Sequence, residues 1–147
     1  MSDRPVIYCY DGSDAAKHAL TTAPKALSGS PAIVITVWRS AWVATAGLTH
    51  AILPPENVDA VDKASAGAAA ALAAEGAALM PDATSAAVKS NGSVWQSILG
   101  FADAHDGSVI VVGARGRGDF KSTVLGSVSH GLVNHSHRPV LVVPPAD

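Results

Sequence analysis

Ser108 to Val143 reads SVIVVGARGRGDFKSTVLGSVSHGLVNHSHRPVLVV, and its internal order decides the fold. Ser108 to Val112 is a continuous apolar run that ends at Gly113. A glycine-rich, basic stretch follows, and Val124, Val128 and Leu132 then recur at helical spacing. Pro139 to Val143 is a second apolar run, stopped by Pro144-Pro145. Strand, loop, helix and strand thus follow in turn. Two strands joined by a helical crossover lie parallel.

The pattern extends towards the N-terminus. Val6 to Tyr10 is a short β-rich run ending at Asp11-Gly12-Ser13, and Ser13 is a good helix N-cap. Ala16, Ala19, Leu20, Ala23 and Leu27 mark one helical face, with Pro24 expected to kink that helix or end it early. Ala32 to Trp38 is a second strand. The connection from Arg39 to Pro55 is long, and long connections are often functional or mobile. Glu56 to Met80 reads as a helix, stopped by Pro81. Ala83 to Lys89 is a short, weak strand, and Ser93 and Gln96 have capping-box spacing before the helical face Trp95, Ile98, Leu99 and Ala102. The order is β-α-β-α-β-α-β-α-β, an α/β fold. Its strands are unbroken apolar runs, as in a parallel sheet covered by helices on both faces. Residues 1–147 read as a single domain with no internal repeat.

Composition narrows the function. The net charge of −2 argues against nucleic acid or anionic lipid as the main partner. No stretch is apolar for a bilayer's width, and the N-terminus lacks the pattern of a secretory signal. The single cysteine, Cys9, excludes an internal disulfide and points to a reducing, cytoplasmic setting, where it serves as a small core residue rather than a nucleophile. His130, His135 and His137 lack the spacing and companions of a metal set, and no catalytic triad is apparent. Trp38 and Trp42 flank the long connection and pack as core or rim residues.

Ligands of open parallel sheets bind at the carboxyl ends of strands where the strand order reverses. Two strand ends here carry unusual chemistry: Asp11-Gly12-Ser13, and the segment from Gly113 through Gly116 and Gly118 to Gly126-Ser127-Val128. Glycines let an anion approach the backbone, and a helix N-terminus offers N–H donors at the positive end of its dipole. Arg115, Arg117 and Lys121 set three of the ten Lys and Arg residues in that segment, against one acid, Asp119. Read by themselves, such glycines serve turns as readily as phosphates, and an aspartate before glycine is often only a turn residue.

The spacing of Gly113, Gly116 and Gly126-Ser127 resembles the nucleotide-binding signature of the universal stress protein family. The runs Val6–Asp11, Val109–Gly113 and Pro139–Val143 resemble that family in the same register, so the likeness spans nearly the whole chain. The resemblance implies a Rossmann-like open five-stranded parallel sheet in the order 3-2-1-4-5. It implies contact of Asp11 with the adenosine, of the Val37 backbone with adenine, and of Gly113 with the ribose. Gly116, Gly126, Ser127 and Val128 would hold phosphates. With the glycine signature complete, the chain resembles the ATP-binding members. The ligand is then ATP, with AMP or ADP as alternatives and Mg²⁺ as a companion of the triphosphate. The output is a stress response through an unidentified protein partner. A homodimer through the last strand, Val140 to Val143, follows from its apolar edge and from the resemblance. A weak ATPase or nucleotidyl transferase, and a dimer module with a vestigial loop, are the other two readings.

Overall fold

The structure, a computed structural model, describes residues 3–41, 55–115 and 125–146. Nine elements alternate: β1 (Val6–Cys9), α1 (Asp14–Ala26), β2 (Ala32–Arg39), α2 (Pro55–Ala77), β3 (Thr84–Ser90), α3 (Val94–Ala104), β4 (Val109–Gly113), α4 (Ser127–His135) and β5 (Val140–Val143). The five strands form one parallel sheet in the order β3-β2-β1-β4-β5, as the resemblance implies.

Alternation along the strands builds two cores, because successive side chains leave a strand on opposite faces. Tyr8, Val34, Val111 and Val143 pack beneath Ala16, Ala19, Leu20 and Ala23 of α1, with Leu72 and Ala77 of α2 alongside. Ile7, Ile35, Ile110 and Val112 pack on the other face against Ile98 and Ala102 of α3 and Leu132 of α4. The central strands are therefore buried on both sides, which is why they read as unbroken apolar runs.

The early helix end expected at Pro24 and the weakness expected of the third strand are not what the structure shows. α1 runs through Pro24 to Ala26, and Leu27 N–H closes the helix on the Ala23 carbonyl at 3.1 Å. Pro24 lies in the last turn, where the buried Leu20 and Ala23 hold the helix to the sheet. β3 is neither short nor weakly paired. All seven of its residues are in register with β2, from Ile33↔Thr84 to Arg39↔Ser90, so pairing rather than propensity fixes it. Ser93 and Gln96 meet as their spacing predicts: Gln96 Oε1 accepts from the Ser93 hydroxyl at 2.7 Å and from its N–H at 3.4 Å.

Candidate functional site

β1 stops early between longer neighbours. Its last pair with β2 is Cys9↔Ile35, whereas β2 continues to Arg39 and β4 to Gly113. The resulting notch lies at the carboxyl ends of the strands, where the strand order reverses between β1 and β4. Asp11 follows the end of β1, Val37 lies on β2 beyond it, Gly113 ends β4, and the bond from Gly126 to Ala114 brings the start of α4 beside Gly113.

Asp11 turns the chain out of β1. Its Oδ1 accepts from the Ser13 N–H at 2.9 Å, and Gly12 between them takes φ 81°, a left-handed conformation suited to glycine. Ser13 then caps α1, accepting from the Ala16 N–H at 3.2 Å. The turn role of Asp11 is thus present in the structure. The Asp11 carboxylate also bears on Cys9 behind it. Burial chiefly, and this negative charge with it, push the Cys9 thiol up to about 12, so it is protonated and unreactive at neutral pH.

Gly113 is tightly packed. A Cβ there would lie 3.2 Å from the backbone C and O of Ala15, in the first turn of α1. The absent side chain lets α1 begin directly against the end of β4. The next residue anchors the return of the chain. The Ala114 carbonyl accepts from the Gly126 N–H at 2.8 Å and from the Ser129 hydroxyl at 3.1 Å, while the Ala114 N–H donates to the Val143 carbonyl at 2.9 Å. Ser129 is fully buried and also donates to the Gly126 carbonyl at 3.0 Å. These bonds fix the N-terminus of α4 beside the end of β4.

Gly126 differs from Gly113. It is the N-cap of α4 with φ −61° and ψ 161°, values open to any residue, and among the described residues a Cβ would meet nothing nearer than the Ala114 carbonyl at 3.4 Å. Neither its conformation nor packing against the described residues requires glycine there. Having no side chain, it leaves the first-turn N–H groups of α4 without a side-chain cap. Ser127 is exposed and Val128 half-buried. Gly116, and with it Arg117, Asp119 and Lys121, lies outside the described residues, as does Trp42.

Val37 lies on the stretch of β2 that runs past β1, paired on its other side with Val88 of β3. Beyond it, Asp62 of α2 grips the exit of β2, accepting from the Ser40 hydroxyl and the Ala41 N–H at 2.7 Å each. Those two bonds, with Lys89 nearby, hold the Asp62 carboxyl below its usual range. The Lys89 ammonium also sits 5.7 Å over the Trp38 ring, which makes Trp38 a rim residue. His130 bonds Asn134 at 2.9 Å, and His135 stacks on Trp95 with centroids 4.2 Å apart, so each has a local structural partner. Sequence reasoning missed Asp62, Ser129 and Thr36, whose buried hydroxyl donates to the Tyr10 carbonyl at 2.8 Å. Thr36 was visible as the lone polar residue of Ile33-Val-Ile-Thr-Val37. Nothing in the sequence marks Ser129 among its neighbours.

The chain is similar to known proteins over nearly its whole length. The model of the universal stress protein family matches residues 4–144. The chain belongs to the universal stress protein family. Universal stress protein YxiE of Bacillus subtilis is 32% identical over 150 residues, covering 94% of this chain and 97% of that protein. Among solved structures, MJ0577 superposes with a TM-score of 0.77 at 19% identity, covering 100% of this chain and 99% of that one. The Arabidopsis thaliana family protein At3g01520, solved with AMP bound, has a TM-score of 0.60 at 16% identity, covering 97% and 92%. Other universal stress proteins of this fold were solved with cAMP and, from Archaeoglobus fulgidus, with dAMP. At these identities the solved structures establish the fold that the two proteins share. No helix among the described residues of this universal stress protein is long and apolar enough to cross a membrane.

Proposed function

We propose that this universal stress protein binds an adenine nucleotide, ATP in the first instance, in the notch beyond β1. The observation that carries the reading is Gly126, a glycine that neither its conformation nor packing against the described residues demands, at the start of a helix that has no side-chain cap. In this reading, Asp11 and the Val37 backbone meet the adenosine, and Gly113 borders the ribose by letting α1 and β4 close together. Gly126, Ser127 and Val128 receive the phosphates, with Gly116 completing the sequence signature. Relatives solved with cAMP, AMP and dAMP support an adenine ligand. Asp11 is the one carboxylate among these residues and already accepts from Ser13, so Mg²⁺ would ride on the phosphates rather than in a protein cage.

The protein is read as a single cytoplasmic domain over residues 1–147 that acts in a stress response by presenting its nucleotide state to a protein partner. A homodimer through β5 is part of this reading. Val143 and Pro139 direct carbonyls to β4, so the alternate residues Val140 and Val142 direct their backbone groups to the open edge. The test is mass spectrometry of the small molecule released from purified protein, followed by calorimetric titration with ATP, ADP, AMP, cAMP and adenosine. Retained adenine nucleotide, bound more tightly than adenosine, is the expected result. Protein that carries none and binds none refutes the proposal. Turnover of about 1 per second or faster would make it an enzyme instead.

A further inference from the structure

The sheet is interrupted at one rung, and the interruption falls beside Val37. In a parallel ladder the N–H and C=O of one residue point to the same neighbouring strand, and those of the next residue point away. The Ile35 carbonyl accepts from the Tyr10 N–H at 2.9 Å, so Ile35 faces β1, and Val37, two residues on, faces the same side. A regular ladder would continue with a bond from the Val37 N–H to the Tyr10 carbonyl. Among the described residues that bond is not made, and the pairing of β1 with β2 ends at Cys9↔Ile35. The Tyr10 carbonyl accepts instead from the hydroxyl of Thr36, a residue only 5% exposed.

This replacement has two consequences. The Tyr10 carbonyl belongs to the peptide that leads into Asp11, so the Thr36 bond fixes that peptide to β2. The Val37 N–H and C=O are left directed past the end of β1, into the notch. One donor and one acceptor on a single backbone edge match the edge of adenine, which offers the N1 acceptor and the N6 donor.

We propose that Thr36 is a positioning residue for the base: its hydroxyl stands in for the Val37 N–H at the Tyr10 carbonyl and so keeps the Val37 edge available to adenine. The inference rests on the nucleotide reading above. It is also testable in the free protein. Thr36→Val keeps the branched shape and removes the donor, and Thr36→Ala removes the donor with less bulk should the first variant not fold. Thr36→Ser restores the donor.

Hydrogen exchange read by NMR in the nucleotide-free protein should show the Val37 amide protected in Thr36→Val or Thr36→Ala, as the rung closes. In Thr36→Ser it should exchange as in wild type. Titration should show adenosine and ATP weakened by one common factor, about tenfold for the loss of one well-placed hydrogen bond, with Thr36→Ser close to wild type. Unchanged Val37 exchange overturns the inference whatever the affinities do. Unchanged affinities in a wild type that binds adenosine overturn it as well. A wild type that binds no adenosine overturns the nucleotide reading instead, and the exchange result alone then decides the role of Thr36.

Discussion

Replacing Gly113 and Gly126 by alanine, one at a time, should separate a glycine that the fold needs from one that the ligand needs. At Gly113 the new methyl carbon would lie 3.2 Å from backbone atoms of Ala15 and 3.3 Å from its Cβ. Backbone in a helix's first turn cannot rotate aside as a side chain would, so α1 must shift from β4. Overpacking of this kind costs about 1–3 kcal/mol, which for a domain of this size lowers the melting temperature by about 3–10 °C. At Gly126 the nearest atom would be 3.4 Å away and φ is −61°. Alanine is a poorer N-cap than glycine but restricts the unfolded chain, and these opposing effects of about 0.5–1 kcal/mol leave stability nearly unchanged.

Binding should show the converse. The Gly126 Cβ would project between Ala114–Arg115 and the start of α4, where a phosphate must come to reach the first-turn N–H groups. Losing one charge-assisted bond, worth about 1.5–3 kcal/mol, weakens ATP by about 10- to 100-fold and leaves adenosine alone. Scanning calorimetry gives the stabilities, and titration with ATP and adenosine gives the affinities. A Gly126→Ala protein that loses both ligands equally, or a Gly113→Ala protein that melts like wild type, would refute these assignments.

Three further outcomes follow from particular contacts. The Asp62 carboxyl is held below its usual range by Ser40 and Ala41, so the unfolded chain binds the extra proton and stability rises with pH. The melting-temperature gap between wild type and Asp62→Ala should be full at neutral pH and shrink as pH falls through the usual carboxylate range and below it; a gap independent of pH would exclude the ionised carboxylate as its source. Val142→Pro removes a donor that faces the open edge of β5 and spares the bonds to β4, so sedimentation at micromolar concentration should show the dimer shifted towards monomer, and a dimer of unchanged strength would place the interface elsewhere. Gly131→Ala would set its Cβ 2.3 Å from Trp95 Cδ1; displacing that ring, stacked on His135, should outweigh the helix-propensity gain of about 1 kcal/mol and lower the melting temperature, and a rise would refute the overlap.

What the sequence made legible was whatever depends on periodicity. The apolar runs of β1, β2 and β4 are packed on both faces in the folded chain, with β5 half-buried beside them, and such packing leaves an unbroken run in the letters. β3 was undervalued because its strand character comes from seven pairings to β2, and a partner across the sheet leaves no local mark. The early end expected at Pro24 does not occur: the rule that proline breaks helices is local, whereas Leu20 and Ala23 are held by the sheet and α1 runs on to Ala26.

The site was harder to read because one letter stands for different physical demands. Gly12 is favoured by its φ of 81°, Gly113 by the close approach of the Ala15 backbone, and Gly131 by the Trp95 ring, which occupies the place of a side chain. None of these requirements involves a ligand, yet Gly113 belongs to the motif as fully as Gly126 does. Of these four glycines, only Gly126 is left unexplained by the contacts of the described residues. A motif matched by spacing therefore mixes residues that build the notch with residues that would touch what fills it. Thr36 lies outside the motif and does work of the first kind, by ending a ladder one rung early. The chemistry of such a site rests on where hydrogen bonding in the sheet stops, and that boundary is set by a side chain reaching across strands rather than by any local pattern.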